Sequence, residues 1–375
     1  MAELHKLRTL IPLQELEISA QQQIYANLEL DFLRRMVVLP DCHAGYDLPV
    51  GAVALLDGHI SPSYVGMDIG CGMCFVNTGL SVRDSLPTKK SREKLWSKIC
   101  RNVPHGLGIA HEKPVAGEVF MSSSGNKILD KTVNKFLNVH LGTLGAGNHF
   151  IEIGEDSAGK ICVTIHSGSR RPGGDLAAHY IKLGRFFALD SDLGRAYLAD
   201  LDYFLEYALK NRLHMMTAIL EHIPGLGFND RQKLIKEIVN ENHNHAVVTP
   251  EGVLHRKGAT PADKDQLGII PANMRDGVWL TKGLGNDEYL SSSSHGAGRV
   301  MSRGQAKKKI SVEQFERQMK GILATTTKGT LDEAPDAYKK IDRVIELQVG
   351  RVIEVIDHIK PLINIKGENK QRRRK

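Results

Sequence analysis

The chain has 375 residues, 41% of them hydrophobic and 25% charged, ordinary values for a globular protein with a substantial buried core. No run approaches the roughly 18 apolar residues needed to cross a bilayer, and Met1-Ala-Glu-Leu-His-Lys6 lacks the apolar stretch of a secretory leader, so a cytoplasmic protein without membrane contact is expected. The net charge of +7 includes five positive charges in Lys370-Gln-Arg-Arg-Arg-Lys375, a tail suited to nucleic-acid phosphates and equally to a solvated end.

In chain order, helical periodicity over 21–36 is followed by extended segments at 37–39, 52–56 and 74–78. Helices are expected over 88–103 and 126–139, strands at 149–153 and 161–165, and then helices over 175–189, 192–223 and 230–242. A strand at 277–284, a late helix over 335–358 and a strand at 362–365 complete the pattern. Strands and helices do not alternate strictly, which predicts an α+β arrangement rather than a doubly wound sheet. Neither a repeat nor a separating linker interrupts the chain, so one large domain is expected, with a helical subregion at 190–242.

Chemistry-bearing residues recur beside glycine turns at the predicted strand ends. Asp68-Ile-Gly-Cys71-Gly precedes one strand, Gly145-Ala-Gly-Asn-His149 enters another, His166-Ser-Gly-Ser-Arg170 leaves a third, and His243-Asn244 follows a helix. Packing histidines need no adjacent glycine turn, so this recurrence points to a metal site. Asp68, Cys71, His149, His166 and His243 suffice for one closed site or for two cations sharing the sulfur. Ligand softness alone ranks zinc first, with manganese or iron behind it. The five cysteines do not form a disulfide framework, and the Cys71-x-x-Cys74 spacing is by itself a weak zinc signal.

Ser291-Ser-Ser-Ser-His-Gly-Ala-Gly-Arg299 sets a histidine in a glycine-rich turn. Glycines let backbone approach an anion, and an imidazole can attack phosphorus or bind metal. Arg170, Arg299 and Arg303 lie in or just after the candidate loops, where a planar guanidinium could grip phosphate. Metal ligands and arginines together predict phosphoryl chemistry.

These segments resemble the RtcB family of RNA ligases. The resemblance runs through Pro40-Asp-Cys-His-Ala-Gly-Tyr46, Val65-Gly-Met-Asp-Ile-Gly-Cys-Gly72, Leu144-Gly-Ala-Gly-Asn-His-Phe-Ile-Glu152, His166-Ser-Gly-Ser-Arg170, His243-Asn244 and Arg256-Lys-Gly-Ala259. It continues through Gly268-Ile-Ile-Pro271, Gly283-Leu-Gly-Asn286, His295-Gly-Ala-Gly-Arg-Val-Met-Ser-Arg303 and Ile365-Lys-Gly367, covering nearly the whole chain. It implies one RtcB-like domain over 1–367, with central β-sandwich-type sheets surrounded by helices, and a basic tail at 368–375.

By the same resemblance the activity is a GTP- and Mn²⁺-dependent joining of an RNA 3′-phosphate or 2′,3′-cyclic phosphate to a 5′-hydroxyl. Cys71 would bridge two Mn²⁺ ions, with Asp68 and His149 on one and His166 and His243 on the other, which replaces zinc by manganese as the expected metal. His295 would carry GMP within the turn Gly296-Ala297-Gly298. Asn148, Glu152, Tyr338 and Lys366 would contact the nucleotide. Arg170, Arg299 and Arg303 would hold RNA phosphate, and Asp41 would support the centre.

The chain departs from the family pattern at Asp47, where glycine is common, at Arg171-Pro-Gly-Gly174 and at Ala272-Asn-Met-Arg-Asp276. Every implied ligand and His295 stay in place, so RNA choice rather than chemistry is affected, and repair of damaged RNA is the expected setting. The alternatives are a metal-dependent phosphoesterase or nuclease using the same cluster with water, and a non-catalytic RNA binder working through its tail. The sequence leaves open which RNA is sealed, whether an activating protein is required, and the oligomeric state.

Overall fold

The structure, a computed structural model, describes residues 3–115 and 119–368; beyond Glu368, the basic tail lies outside the described residues. Two larger sheets organise them. A five-stranded sheet runs in the order Leu7–Thr9, Leu33–Tyr46, Leu48–Leu56, Gly252–Lys257, Asn244–Thr249. An eight-stranded sheet runs Leu267–Pro271, Val278–Gly283, Ile353–Lys366, Phe150–Glu155, Lys160–Ser167, Gly72–Ser81, Val239–Asn242, with Leu323–Ala324 added beside Ile353–Lys366.

Alternation along the smaller sheet explains its two faces. Val37, Leu39, Val53 and Leu55 join Ile270 and Ile353 of the larger sheet in one apolar cluster. The intervening Met36, Val38, Ala52, Ala54 and Leu56 pack on Ile24 and Leu28 of the helix Ile18–Leu28. Strand periodicity of two therefore buries this sheet on both faces, one against the second sheet and one against a helix. The far face of the larger sheet is covered by the helices Lys89–Asn102 and Asp192–Leu220, through Leu95, Ile99, Met215, Met216 and Ile219. The fold is α+β with central sheets and surrounding helices, as the sequence predicts.

The expected helices over 88–103, 126–139 and 192–223 are present as Lys89–Asn102, Lys127–His140 and Asp192–Leu220. Four others need correction. The helix expected over 21–36 ends at Leu28, and Leu33–Tyr46 is a strand, because Leu33 to Val38 pair with Leu48–Leu56. The one expected over 175–189 runs Arg170–Leu183, and Phe187–Ala188 pairs with His59–Ile60. The helix expected over 230–242 stops early, and Val239–Asn242 joins the larger sheet against Gly72 to Phe75. Over 335–358 only Ile341–Glu346 is α-helical, and Ile353–Lys366 is a long strand paired on both sides. Its branched apolar residues mimic a helical stripe when counted from 341, but Gly350 at φ +73 breaks the helix between them. The hairpin Asn244–Thr249 and Gly252–Lys257 was not anticipated from the sequence.

Among the described residues no helix is long and apolar enough to cross a membrane, and the five cysteines are free thiols. Asp47 has φ +61, so an aspartate occupies a left-handed position that suits glycine. Its carbonyl accepts from Asn27 Nδ2 at 3.0 Å, which helps offset the backbone cost.

Candidate metal and nucleotide site

The strand ends deliver the ligand-type residues to one place. Asp68 and Cys71 share a tight turn closed by Cys71 N donating to Asp68 O at 3.1 Å. That turn lies against the helix Asp192–Leu220, where a Cβ on Gly70, at φ +64, would stand 2.6 Å from Ala208 Cβ. Glycine is thus required by both conformation and approach. Cys71 O in turn accepts from His243 N at 2.7 Å and Asn244 N at 3.2 Å, tying the second loop to the first. His149 directly precedes the strand Phe150–Glu155, and His166 sits in its neighbour Lys160–Ser167.

The five side chains form two overlapping trios, Asp68–Cys71–His149 and Cys71–His166–His243, whose ligand atoms all lie within 4.8 Å of one another in each trio. The sulfur is common to both. Cys71 Sγ is 3.4 Å from His149 Nε2 and 3.2 Å from His166 Nε2. His149 Nε2 lies 2.8 Å from Asp68 Oδ2, and the Nε2 atoms of His166 and His243 are 3.2 Å apart.

The electrostatics suit cation binding. Burial holds His166 and His243 well below the ordinary histidine range, so both are neutral imidazoles. His166 Nδ1–H donates to Asn148 O at 3.2 Å, which leaves Nε2 with its lone pair toward the sulfur. Burial pushes the Asp68 carboxyl up, but the charge and hydrogen bonding of His149 outweigh it and leave the acid ionised. Burial raises the Cys71 thiol, reinforced by the Asp68 charge; a divalent cation between these atoms would displace that proton.

His295 follows the short strand Ser292–Ser294, which pairs with Ala259–Pro261. Its ring lies 4.9 Å, centroid to centroid, from that of His243. Asp41 Oδ2 is 2.6 Å from His295 Nδ1 and accepts from His295 N at 3.1 Å. Burial raises the Asp41 carboxyl, yet the hydrogen bond and charge of His295, with Ser294 and Lys339, together outweigh it and leave Asp41 below its usual value. The histidine is held by an anion on one nitrogen, and among the described residues no hydrogen bond occupies the other.

These groups open onto a cavity of about 350 Å³. Its lining includes Asp68, Cys71, Asn148, Glu152, His166 and His243 together with His295, Gly296, Ala297, Gly298, Arg299, Arg303, Tyr338 and Lys366. His149 and Asp41 stand behind this lining, in contact with Cys71 and His295 respectively, and Arg170 reaches His149. Glu152 is buried and pushed up to about 8 by that burial; Oε2 accepts from Asn364 Nδ2 at 2.9 Å, while Oε1 has no partner. An orphaned polar oxygen here fits the hydrogen-bonding edge of a bound base, donating to it while the acid is protonated and accepting from it when ionised. Arg170, at φ +60, points Nη1 to within 2.9 Å of His149 Nδ1, and its Nε is buried without a partner. Gly145 makes room for it, since a Cβ there would overlap the guanidinium.

Sequence reasoning missed Glu333. Its carboxylate accepts from Tyr338 Oη at 2.5 Å, Lys366 Nζ at 2.9 Å and Arg303 Nη1 at 2.6 Å, with Arg299 Nη1 at 3.4 Å. Burial raises this acid, but Lys366 and Arg303 overcome it and hold it at about 2. Arg299 and Arg303, expected to grip RNA phosphate, therefore already direct donors at an acid of the chain, Arg303 also reaching Asp332 Oδ2 at 2.8 Å. The signal in the sequence was the pair Asp332-Glu333 just before Pro335. Lys257 and His43 also line the cavity and were quoted only within motifs. Of the departures, Ala272, Asn273 and Met274 line it too, whereas Arg171 turns onto the Phe136 ring, 3.7 Å from its centroid.

An α+β chain that gathers two ligand trios and an anion-held histidine around one cavity has the construction of an enzyme for phosphate chemistry. The chain belongs to the RtcB family: the family model described as tRNA-splicing ligase RtcB matches residues 23–138 and 111–367. It is similar to the RNA-splicing ligase RtcB of Escherichia coli (strain K12), with 34% identity covering 94% of this chain and 95% of that one. It is 28% identical to the tRNA-splicing ligase RtcB of Nanoarchaeum equitans, over 89% of this chain and 88% of that one. The RNA-splicing ligase RtcB of Mycobacterium tuberculosis is likewise 28% identical, over 84% of this chain and 92% of its own.

Proposed function

We propose that this protein is a GTP- and Mn²⁺-dependent RNA ligase that joins an RNA 3′-phosphate or 2′,3′-cyclic phosphate to a 5′-hydroxyl through a histidine–GMP intermediate. Family membership supports RNA ligation, and the observation that carries the finer chemistry is the opening of the shared Cys71 sulfur and His295 onto one cavity.

An RNA 3′-phosphate lacks a leaving group and its charge repels nucleophiles, so it must be activated. His295, donating Nδ1–H to Asp41, presents Nε2 to the α-phosphorus of GTP; a P–N bond forms and pyrophosphate leaves. The guanylyl group passes to the RNA 3′-phosphate, which breaks the P–N bond and restores the imidazole. The 5′-hydroxyl then attacks the activated phosphorus and expels GMP, a cyclic phosphate having first been opened by water. Two Mn²⁺ ions, on Asp68, Cys71 and His149 and on Cys71, His166 and His243, would supply Lewis-acid stabilisation of the developing charge. Oxygen-rich phosphate substrates and open positions favour manganese over the zinc that the sulfur alone would select.

Glu152 and Asn148 would meet the nucleotide, Lys366 and Tyr338 would flank its base, and Arg170, beside His149, would hold an RNA phosphate. Asp41 keeps His295 in the reactive tautomer and offsets the positive charge that forms on its ring.

The test is incubation with Mn²⁺ and GTP labelled at the α-phosphate, followed by denaturation. Acid-labile label on the protein, absent from His295→Ala, is the expected result. Phosphate release from RNA ends without protein-bound label would replace ligation by hydrolysis.

A further inference from the structure

Beneath the ligand cluster lies a cation that makes no ion pair among the described residues. Arg212, in the helix Asp192–Leu220, is fully buried. Its Nε donates to Asn240 Oδ1 at 2.7 Å and its Nη2 to Asn242 Oδ1 at 2.7 Å, while Nη1 donates to Gly70 O at 2.7 Å and Ser167 O at 2.8 Å. All four acceptors are neutral amides. Burying a guanidinium without a carboxylate partner costs free energy that an apolar residue would avoid, and a positive charge here opposes cation binding above it. Neither stability nor attraction of metal accounts for it.

The positions of the acceptors do. Gly70 lies between Asp68 and Cys71, Ser167 follows His166, and Asn242 precedes His243. The neighbouring Asn211 braces the fifth ligand. Its Oδ1 accepts from Thr143 N at 3.0 Å and its Nδ2 donates to Thr143 O at 3.2 Å and Gly168 O at 3.1 Å, steadying the segment whose Leu144 O lies 2.9 Å from His149 Nδ1.

We infer that Arg212 is a positioning residue that sets both cation sites at once, by pinning three separate ligand-bearing segments to one rigid helix, two through backbone carbonyls and the third through the Asn242 side chain. A planar fork with donors in three directions does this, and a lysine, with donors on a single nitrogen, does not. The two sites are therefore coupled through this residue as well as through the Cys71 sulfur, and its loss affects them together.

This inference rests on the two-ion reading above, and Mn²⁺ binding to the full chain, followed by the electron paramagnetic resonance of free Mn²⁺, separates the two. Wild type should take up two ions per chain. Arg212→Lys, shown to be folded by circular dichroism and a cooperative melt, should bind both ions more weakly by about tenfold to a hundredfold, the range for residues that orient metal ligands. His149→Ala is the contrasting control and should weaken one ion far more than the other. A folded Arg212→Lys protein that binds both ions with wild-type affinity, or loses only one, overturns the inference and leaves the two-ion reading intact. A wild type that binds no Mn²⁺ overturns the reading, and the inference with it. If Arg212→Lys does not fold, Asn240→Ala decides the matter: it removes one acceptor remote from the ligands and should weaken both ions in parallel, and unchanged affinities would overturn the inference.

Discussion

Asp41 Oδ2 stands 2.6 Å from Nδ1 of His295 although 254 residues separate the two, and the carboxylate is wholly buried. The contact assigns the ring's proton to Nδ1 and leaves on Nε2 the lone pair that the proposed guanylylation requires. Asp41→Asn keeps the shape but removes the charge and can present an amide N–H to Nδ1, forcing the other tautomer. Guanylylation of His295 should slow by about a hundredfold or more, while GTP affinity changes little. Rapid-quench measurement with labelled GTP checks this, and an unchanged rate would contradict the assigned tautomer.

Two cysteines three positions apart should behave oppositely. Cys71 Sγ belongs to both ligand trios, whereas Cys74 lies in the apolar core beside Val76 and Ile165. Wild type should gain melting temperature on addition of Mn²⁺, and Cys71→Ala should abolish both that rise and stoichiometric Mn²⁺ binding. Cys74→Ala should retain that rise and lower stability modestly, by about 1 kcal/mol, through lost packing. Differential scanning calorimetry with Mn²⁺ and with a chelator distinguishes them; equal metal stabilisation of both variants would refute the sharing of the sulfur.

Glu333 anchors Lys366, Tyr338 and Arg303 on one carboxylate. Glu333→Gln leaves buried cations uncompensated, so it should cost about 3 kcal/mol of stability and raise the KM for GTP more than it lowers kcat. The native carboxyl is held at about 2, below its unfolded value, so its stabilisation is present above the unfolded pKa and disappears as pH falls through about 2. Urea unfolding compared at neutral and acid pH reads the difference, which should shrink on acidification.

Glu152 has the opposite sign. Burial raises it to about 8, so the native state favours its protonated form, and that contribution is full below the unfolded pKa and lost as pH rises through about 8. Wild-type melting temperature should fall more steeply than that of Glu152→Gln between about pH 5 and about pH 8. Parallel slopes would show that Glu152 is ionised throughout.

Local signals were legible in the sequence because they depend on neighbours along the chain. The turn Asp68-Ile-Gly-Cys71, the glycines flanking His149 and His295, and the helix over 192–220 are set by short-range conformation and periodicity, and family motifs carried the rest. Val239–Asn242 and the first part of Ile353–Lys366, residues 353–358, read as helix, while the strand at 362–365 is legible; what makes the misread stretches strands is pairing with Gly72–Ser81 and Val278–Gly283, residues far away in sequence.

Long-range contact also decided what no pattern of residues announces. Only the folded chain brings Asp41 to His295 and spends Arg299 and Arg303 on Glu333. Only there does Arg212 lie under the ligand loops. The sequence by itself determined which side chains can bind metal and attack phosphorus, since that chemistry belongs to each residue type. The tertiary structure decided which of them share a sulfur, a proton or a counter-charge, because burial and distance set those couplings and both arise only when remote segments pack together.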